Sequence, residues 1–216
     1  ADVTFLWGKY FEALVLENGG YSKKSIFTSG KIQNKPTYSL NKAISKTRKV
    51  ILFATQPQRD PFLRKKQIKD VMLTVKELSN HYQLVIRPHP NEIDDNFFID
   101  ISESLNFSDY IIDRVSDLHS NFDSCYLMIT SFSTVGTEFV PYYKPMIILD
   151  YLNQDLIGYI KRGVGIQVKN KEDLMSVFLN NISIDNHAYD LFIEDFFFKL
   201  DYKDEERIIK RIEEEI

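Results

Sequence analysis

The sequence predicts an α/β fold: a doubly wound, mostly parallel sheet with helices on both faces. Three observations predict it. From residue 50 onward, short continuous apolar runs alternate with stretches of helical periodicity, the pattern of strands buried on both faces by crossover helices. The segments that follow those runs are polar and punctuated by proline. Finally, 216 residues that are 44% hydrophobic and 27% charged can build one good core, or one core plus an appended piece.

Taken in order, residues 3–7 read as a short strand and 9–18 as a helix with Phe11, Leu14, Val15 and Asn18 on one face. Gly19-Gly20 stops that helix, because glycine readily takes the left-handed conformation beyond a helix end. Residues 25–28 are a further short strand. Residues 31–49 are polar, with Pro36 and no sustained periodicity, and read as a linker. Main-domain strands are predicted at 50–54, 84–87, 110–112, 126–130, 146–149 and 165–168. Helices are predicted over 62–80, where Ile68, Val71, Met72, Val75 and Leu78 recur at helical spacing, and over 171–180, with Leu174, Val177 and Phe178 inward. Another begins after Thr130 and closes at Tyr143.

The tail carries Phe196-Phe197-Phe198 and Leu200 before a charged helix with Ile208, Ile212 and Ile216 on one face. So apolar a segment is expected to dock on a missing N-terminal domain or to fold back on its own sheet. The expected organisation is 1–48 as the end of an N-terminal domain plus linker, 49–190 as the main domain, and 191–216 as the apolar segment with its helix. A strand-like start without Met suggests a piece of a longer protein.

The formal net charge of −4 argues against a general nucleic-acid binder, which usually carries a strongly basic face. Two local basic stretches exist, one with Lys42, Lys46, Arg48 and Lys49, the other with Arg64, Lys65, Lys66 and Lys69. They read as solvated faces or linkers, the alternative being peripheral contact with an anionic membrane surface or a polyanionic acceptor. Signal-peptide and membrane-span patterns are missing, and the single cysteine, Cys125, sits in an apolar run as a core thiol would. Both suit a cytoplasmic protein, in peripheral contact at most with the inner face of a membrane. No His/Cys cluster has zinc spacing, Asp94-Asp95 lacks a calcium-loop pattern, and GxSxG and GxxxxGK[ST] motifs do not occur. No metal is expected.

Ligands of doubly wound sheets bind beyond the carboxyl ends of the strands. That rule selects Thr55-Gln56-Pro57-Gln58, Pro88-His89-Pro90-Asn91-Glu92, Asp113-Arg114-Val115-Ser116 and Ser131-Phe132-Ser133-Thr134. In the last, hydroxyls and unpaired N–H groups meet the positive end of a helix, which suits a phosphate, although Ser131 or Ser133 could equally cap the helix. Glu138 lies one turn deeper, placed for ribose hydroxyls or simply for solvent. His89 is held between two prolines of fixed φ, where an imidazole can donate a hydrogen bond to a phosphate or act as a proton donor.

These residues form a familiar pattern. His89-Pro90 closing a strand, then Thr130-Ser131-Phe132-Ser133-Thr134-Val135-Gly136-Thr137-Glu138 and Tyr143-Lys144-Pro145-Met146-Ile147, resemble bacterial GT-B transferases of capsule and surface polysaccharides. These comprise sialyl- and polysialyltransferases, Kdo transferases and CDP-glycerol glycerophosphotransferases. Leu6-Trp7-Gly8-Lys9 and Lys24-Ser25-Ile26-Phe27-Thr28-Ser29-Gly30 are similar to the segment preceding their donor domain.

The resemblance implies a Rossmann-like C-terminal half that holds a CMP-, CDP- or UDP-linked donor for a polysaccharide or glycolipid acceptor, with no other cofactor. His89, Ser131, Ser133 and Thr134 would bind phosphate, with His89 as the catalytic residue, and Glu138 the sugar of the nucleoside. The rim residues Gln56, Pro90, Asp113 and Arg114 are the remaining candidates for the nucleoside. The acidic general-base motif of the sialyltransferases belongs to their N-terminal domain, so these residues alone are expected to bind nucleotide without turning over. The alternatives are a sugar-nucleotide 2-epimerase-like enzyme and a non-catalytic binding module of the same fold.

Overall fold

The computed structural model describes residues 3–32 and 47–215. Pro36, Lys42, Lys46 and Ile216, on which sequence readings fall, lie outside the described residues, as does most of the predicted linker. In chain order the elements are β1 (Thr4–Leu6), α1 (Lys9–Asn18), β2 (Ile26–Thr28), β3 (Lys49–Ala54), α2 (Pro61–Glu77) and β4 (Tyr82–Arg87). They continue with α3 (Asn96–Ser104), β5 (Tyr110–Ile112), α4 (Leu118–Ser124), β6 (Leu127–Thr130), α5 (Val135–Phe139) and β7 (Met146–Leu149). β8 (Ile166–Val168), α6 (Lys171–Leu179), α7 (Asn186–Phe197) and α8 (Asp204–Glu215) complete the chain. It divides into two compact units, Thr37–Asp185 and Ala1–Pro36 with Asn186–Ile216.

The larger unit is a six-stranded sheet in the order β5-β4-β3-β6-β7-β8, every pairing parallel. Because side chains alternate along a strand, each buried run feeds two cores. Ile51, Phe53, Leu84, Ile86, Leu127, Ile129, Ile147 and Leu149 join Ile68, Val71, Met72 and Val75 of α2, Phe98 and Ile101 of α3 and Leu174 of α6. On the intervening positions Leu52, Val85, Met128 and Ile148 are equally buried, as are Phe122 of α4 and Phe139 of α5, whose rings meet edge to face at 5.3 Å. Helices on both faces make the sheet doubly wound. Cys125 is buried among these groups, and burial pushes its thiol up to about 12.

Local chemistry sets the ends of the helices. Asp60 accepts from the N–H groups of Phe62 (2.8 Å) and Leu63 (3.2 Å) while Pro61 occupies the first turn, so α2 starts just beyond the β3 rim. The helix predicted from Thr130 to Tyr143 is shorter: α5 has five residues, and a 3-10 turn, Val140–Tyr142, follows. Pro141 explains the break, since it has no N–H to continue the ladder. α3, α4 and α7 were not predicted at all.

The smaller unit contains the parallel pair β1 and β2, with α1 against α7. Gly20, at φ +66°, takes the left-handed turn that ends α1's trajectory. Phe196 and Phe197 end α7. Phe196 stacks on Phe192 (4.3 Å) and Tyr10 (5.0 Å) and meets Phe11 edge-on (5.8 Å). The apolar run therefore packs on α1 within this unit. α1 itself has no buried residue, and Leu14, predicted on its inward face, is 43% exposed. On α8, Ile212 is 47% exposed while Arg211 lies over the Phe27 ring.

Candidate functional site

Where the strand order of a doubly wound sheet turns back, the adjacent connections leave on opposite faces and open a crevice at the carboxyl ends. Counted from β3 as the first strand, the order here is 3-2-1-4-5-6, which places that point between β3 and β6. The register aligns the exits: Ala54 pairs with Arg87, and Phe53 with Ile129. Thr55, Pro88 and Ser131 thus leave three adjacent strands at one level. With strands about 4.8 Å apart, the His89 and Ser131 segments stand roughly two spacings, about 10 Å, from each other.

His89 is half-buried, and its backbone N–H donates to the Glu92 carboxylate at 2.9 Å and to the Thr55 hydroxyl at 3.3 Å. Its Nδ1 accepts the backbone N–H of Asn91 at 3.1 Å. A nitrogen that accepts cannot carry the ring proton, so the neutral imidazole is the Nε2–H tautomer, a hydrogen-bond donor. Glu92 is itself buried, takes the Thr55 hydroxyl and forms an ion pair with Arg64 at 2.7 Å. The Arg64 guanidinium lies 3.9 Å from the centroid of the Phe97 ring.

The Ser131–Thr134 segment has a different construction. Ser131 is buried and donates to the Gln67 side chain at 3.1 Å, and the Gln67 amide donates to the Leu149 carbonyl at 3.0 Å. Ser133, also buried, accepts the Val135 N–H at 3.3 Å with its hydroxyl, and Thr134 is exposed. Among the described residues, none accepts the backbone N–H of Phe132, Ser133 or Thr134. The segment follows β6 at the switch point, with the short α5 adding the dipole of little more than one turn. Tyr159 holds the segment from behind, donating to the Ser133 carbonyl at 2.8 Å and meeting the Thr137 hydroxyl at 3.0 Å. Burial, with Glu138 and Asp155 nearby and against the Thr137 bonds, pushes that phenol up to about 12.

The other predicted contacts occupy varied positions. Glu138 is half-buried on α5, Gln56 is half-buried with its side-chain oxygen unpartnered among the described residues, and Pro90 is exposed. Asp113 is 1% exposed and accepts the N–H groups of Val115 (3.1 Å) and Ser116 (3.0 Å), closing its own turn. Burial raises its pKa, but hydrogen bonds from Ser116 and Val115 and the Arg87 charge outweigh this and hold it below the ordinary carboxylate value. Arg114 binds Asp95 (2.6 Å) and the Glu92 carbonyl. A depression lies beyond β6 and β7, lined by Gln58, Gln67, Ser131, Phe132, Asp150 and Gln154 among others.

Sequence reasoning places Thr55 and Glu92 in the rim segments without a role of their own, and gives none to Arg64 or Tyr159. Arg64 belongs to a basic run that reads as solvated, whereas its side chain is 21% exposed and paired. The available signal for Glu92 was its position three residues after His89 on a rim loop, within reach of the turn. Among the described residues, no group of three or more His, Cys, Asp or Glu is placed to hold a metal ion, and no helix is long and apolar enough to cross a membrane.

No protein-family model matches the chain, and no curated protein matches it. Solved structures do. A Listeria monocytogenes protein described as a UDP-N-acetylglucosamine 2-epimerase is 16% identical, with a TM-score of 0.69 over 99% of this chain and 59% of that one. The wall teichoic acid polymerase TagF is 17% identical, with a TM-score of 0.62 over 99% of this chain and 58% of its own. MnaA from S. aureus, in a structure with UDP, is 17% identical, with a TM-score of 0.66 over 99% of this chain and 59% of its own. The chain thus spans about three fifths of the length of these structures. At such identities the likeness is one of fold, and the fold is the Rossmann-like sheet of GT-B-type proteins.

Proposed function

We propose that this chain is the donor-nucleotide-binding half of a transferase that moves a glycosyl or glycerol-phosphate group from a CMP-, CDP- or UDP-linked donor during bacterial surface-polymer synthesis. The observation that carries the reading is the switch point, where the Nε2–H tautomer of His89 and the N–H groups of Phe132, Ser133 and Thr134, which no described residue accepts, follow strands on one carboxyl edge of the sheet. Donors of this kind suit the phosphates of an activated donor. They would stabilise the negative charge that builds on the leaving nucleotide as its bond to the transferred group breaks. Ser131 and Thr134 would border the phosphate, while Gln56, Glu138 and Arg114 would lie outward toward the nucleoside. A second domain would present the acceptor across the crevice.

The likeness to TagF supports glycerol-phosphate transfer as one form of this reading. The likeness to MnaA with UDP and to the Listeria protein supports a second, an enzyme acting on a UDP-linked amino sugar as a 2-epimerase does. Calorimetric titration with CMP, CDP and UDP separates them by base and phosphate number. His89→Ala is expected to weaken binding about tenfold with the fold intact, the value of one hydrogen bond to a charged acceptor. Absence of binding at millimolar nucleotide would overturn both forms and leave a binding module for other partners.

A further inference from the structure

We infer that Glu92 is the positioning residue of the His89 imidazole, acting through the backbone and held in place by Arg64 and Thr55. This rests on the reading of His89 as a ligand of the donor phosphate. Both backbone polar groups of His89 are tied to Glu92: the His89 N–H donates to its carboxylate at 2.9 Å, and the Glu92 N–H donates to the His89 carbonyl at 2.8 Å. The loop is thereby closed on itself, and within it the Asn91 N–H reaches Nδ1 and selects the tautomer.

The Glu92 side chain is 2% exposed, a costly place for a carboxylate unless its charge is met. Arg64 meets it from the first turn of α2 at 2.7 Å, and the Thr55 hydroxyl meets it from the end of β3. One buried carboxylate thus joins the exits of two adjacent strands to the helix between them, and the imidazole rides on that junction. The requirement for a charge here explains why Arg64, in an otherwise solvated basic run, turns inward.

The test uses CDP as the probe and the nitrogen resonances of the imidazole as the readout. Wild-type His89, identified among the four histidines by its loss in His89→Ala, should be the Nε2–H tautomer when neutral. Glu92→Gln keeps the size but withdraws the charge facing Arg64. It should give a tautomer mixture at His89 and about tenfold weaker CDP binding. In the His89→Ala background the same substitution should cost no further affinity, because residues that act through one another are not additive.

Full additivity in that background, or a wild-type His89 protonated on Nδ1, overturns the assignment while leaving a phosphate role for His89 standing. An unchanged CDP affinity in His89→Ala overturns the phosphate reading and this one with it. Should Glu92→Gln fail to fold, Thr55→Val keeps the ion pair and removes the hydroxyl that donates to the carboxylate and accepts the His89 N–H at 3.3 Å. It should show the same two effects in smaller measure, and a Thr55→Val protein with wild-type tautomer and affinity counts against the assignment.

Discussion

The Tyr159 hydroxyl donates to the Ser133 carbonyl at 2.8 Å, fastening the loop between β7 and β8 to the turn that opens α5. The ring is buried, so the bond is shielded from water on both sides. Tyr159→Phe keeps the ring and deletes this bond together with the contact to the Thr137 hydroxyl. The expected loss is about 1 kcal/mol, or roughly 2–4 °C in melting temperature for a chain of this size. Calorimetry measures it, and an unchanged melting temperature would show that the bond does not secure the turn.

Gly136 lies under the same ring. A Cβ there would stand 2.7 Å from the Tyr159 ring carbon that bears the hydroxyl. Alanine normally stabilises a helix by about 1 kcal/mol over glycine, but overpacking costs about 1–3 kcal/mol. Gly136→Ala is therefore expected to destabilise, against the propensity trend, and to cost less in a Tyr159→Leu background than in the wild type, because the clash partner is then gone. Urea unfolding of the two variants decides the sign.

Asp113 is expected to shape the acid limb of the stability curve. Its folded pKa lies below the ordinary value of 3.8, so the ionised form is the one the fold favours. That contribution is complete above about pH 4 and is lost as pH falls through the folded pKa. Asp113→Asn should lower stability at neutral pH and flatten the dependence below about pH 4. Parallel slopes in wild type and variant would exclude Asp113 as a source of acid sensitivity.

Phe197 is 5% exposed in the smaller unit, and Lys31 lies over both its ring (5.3 Å) and that of Trp7 (5.6 Å). Trp7 is the single tryptophan of the chain, so its fluorescence reports on this unit. Phe197→Ala should cost about 3–5 kcal/mol there. A denaturation midpoint by Trp7 fluorescence that matches the wild type would show that the ring does not hold the unit together.

Much of the sheet was legible because parallel strands write themselves as unbroken apolar runs. The stretches 110–112 and 146–149 are strands with the bounds read from the chain, and α2 follows from its apolar spacing behind Asp60-Pro61. The shared edge of the rim segments could be read for the same reason, since the end of an apolar run marks where the following loop starts. Shorter helices escaped notice. α4 has seven residues, too few to show a period, and the Phe196-Phe197 pair that closes α7 reads as a run rather than as a face.

Only tertiary structure could pair Glu92 with Arg64, or Tyr159 with Ser133. Each pair is separated by more than twenty residues and meets because the strand order brings two remote segments together. Periodicity reports which face of an element is apolar, a property of neighbours a few residues apart. Which buried charge meets which, and which nitrogen of an imidazole keeps its proton, depends on distances of about 3 Å between segments remote in the chain, and those are set only when the sheet assembles.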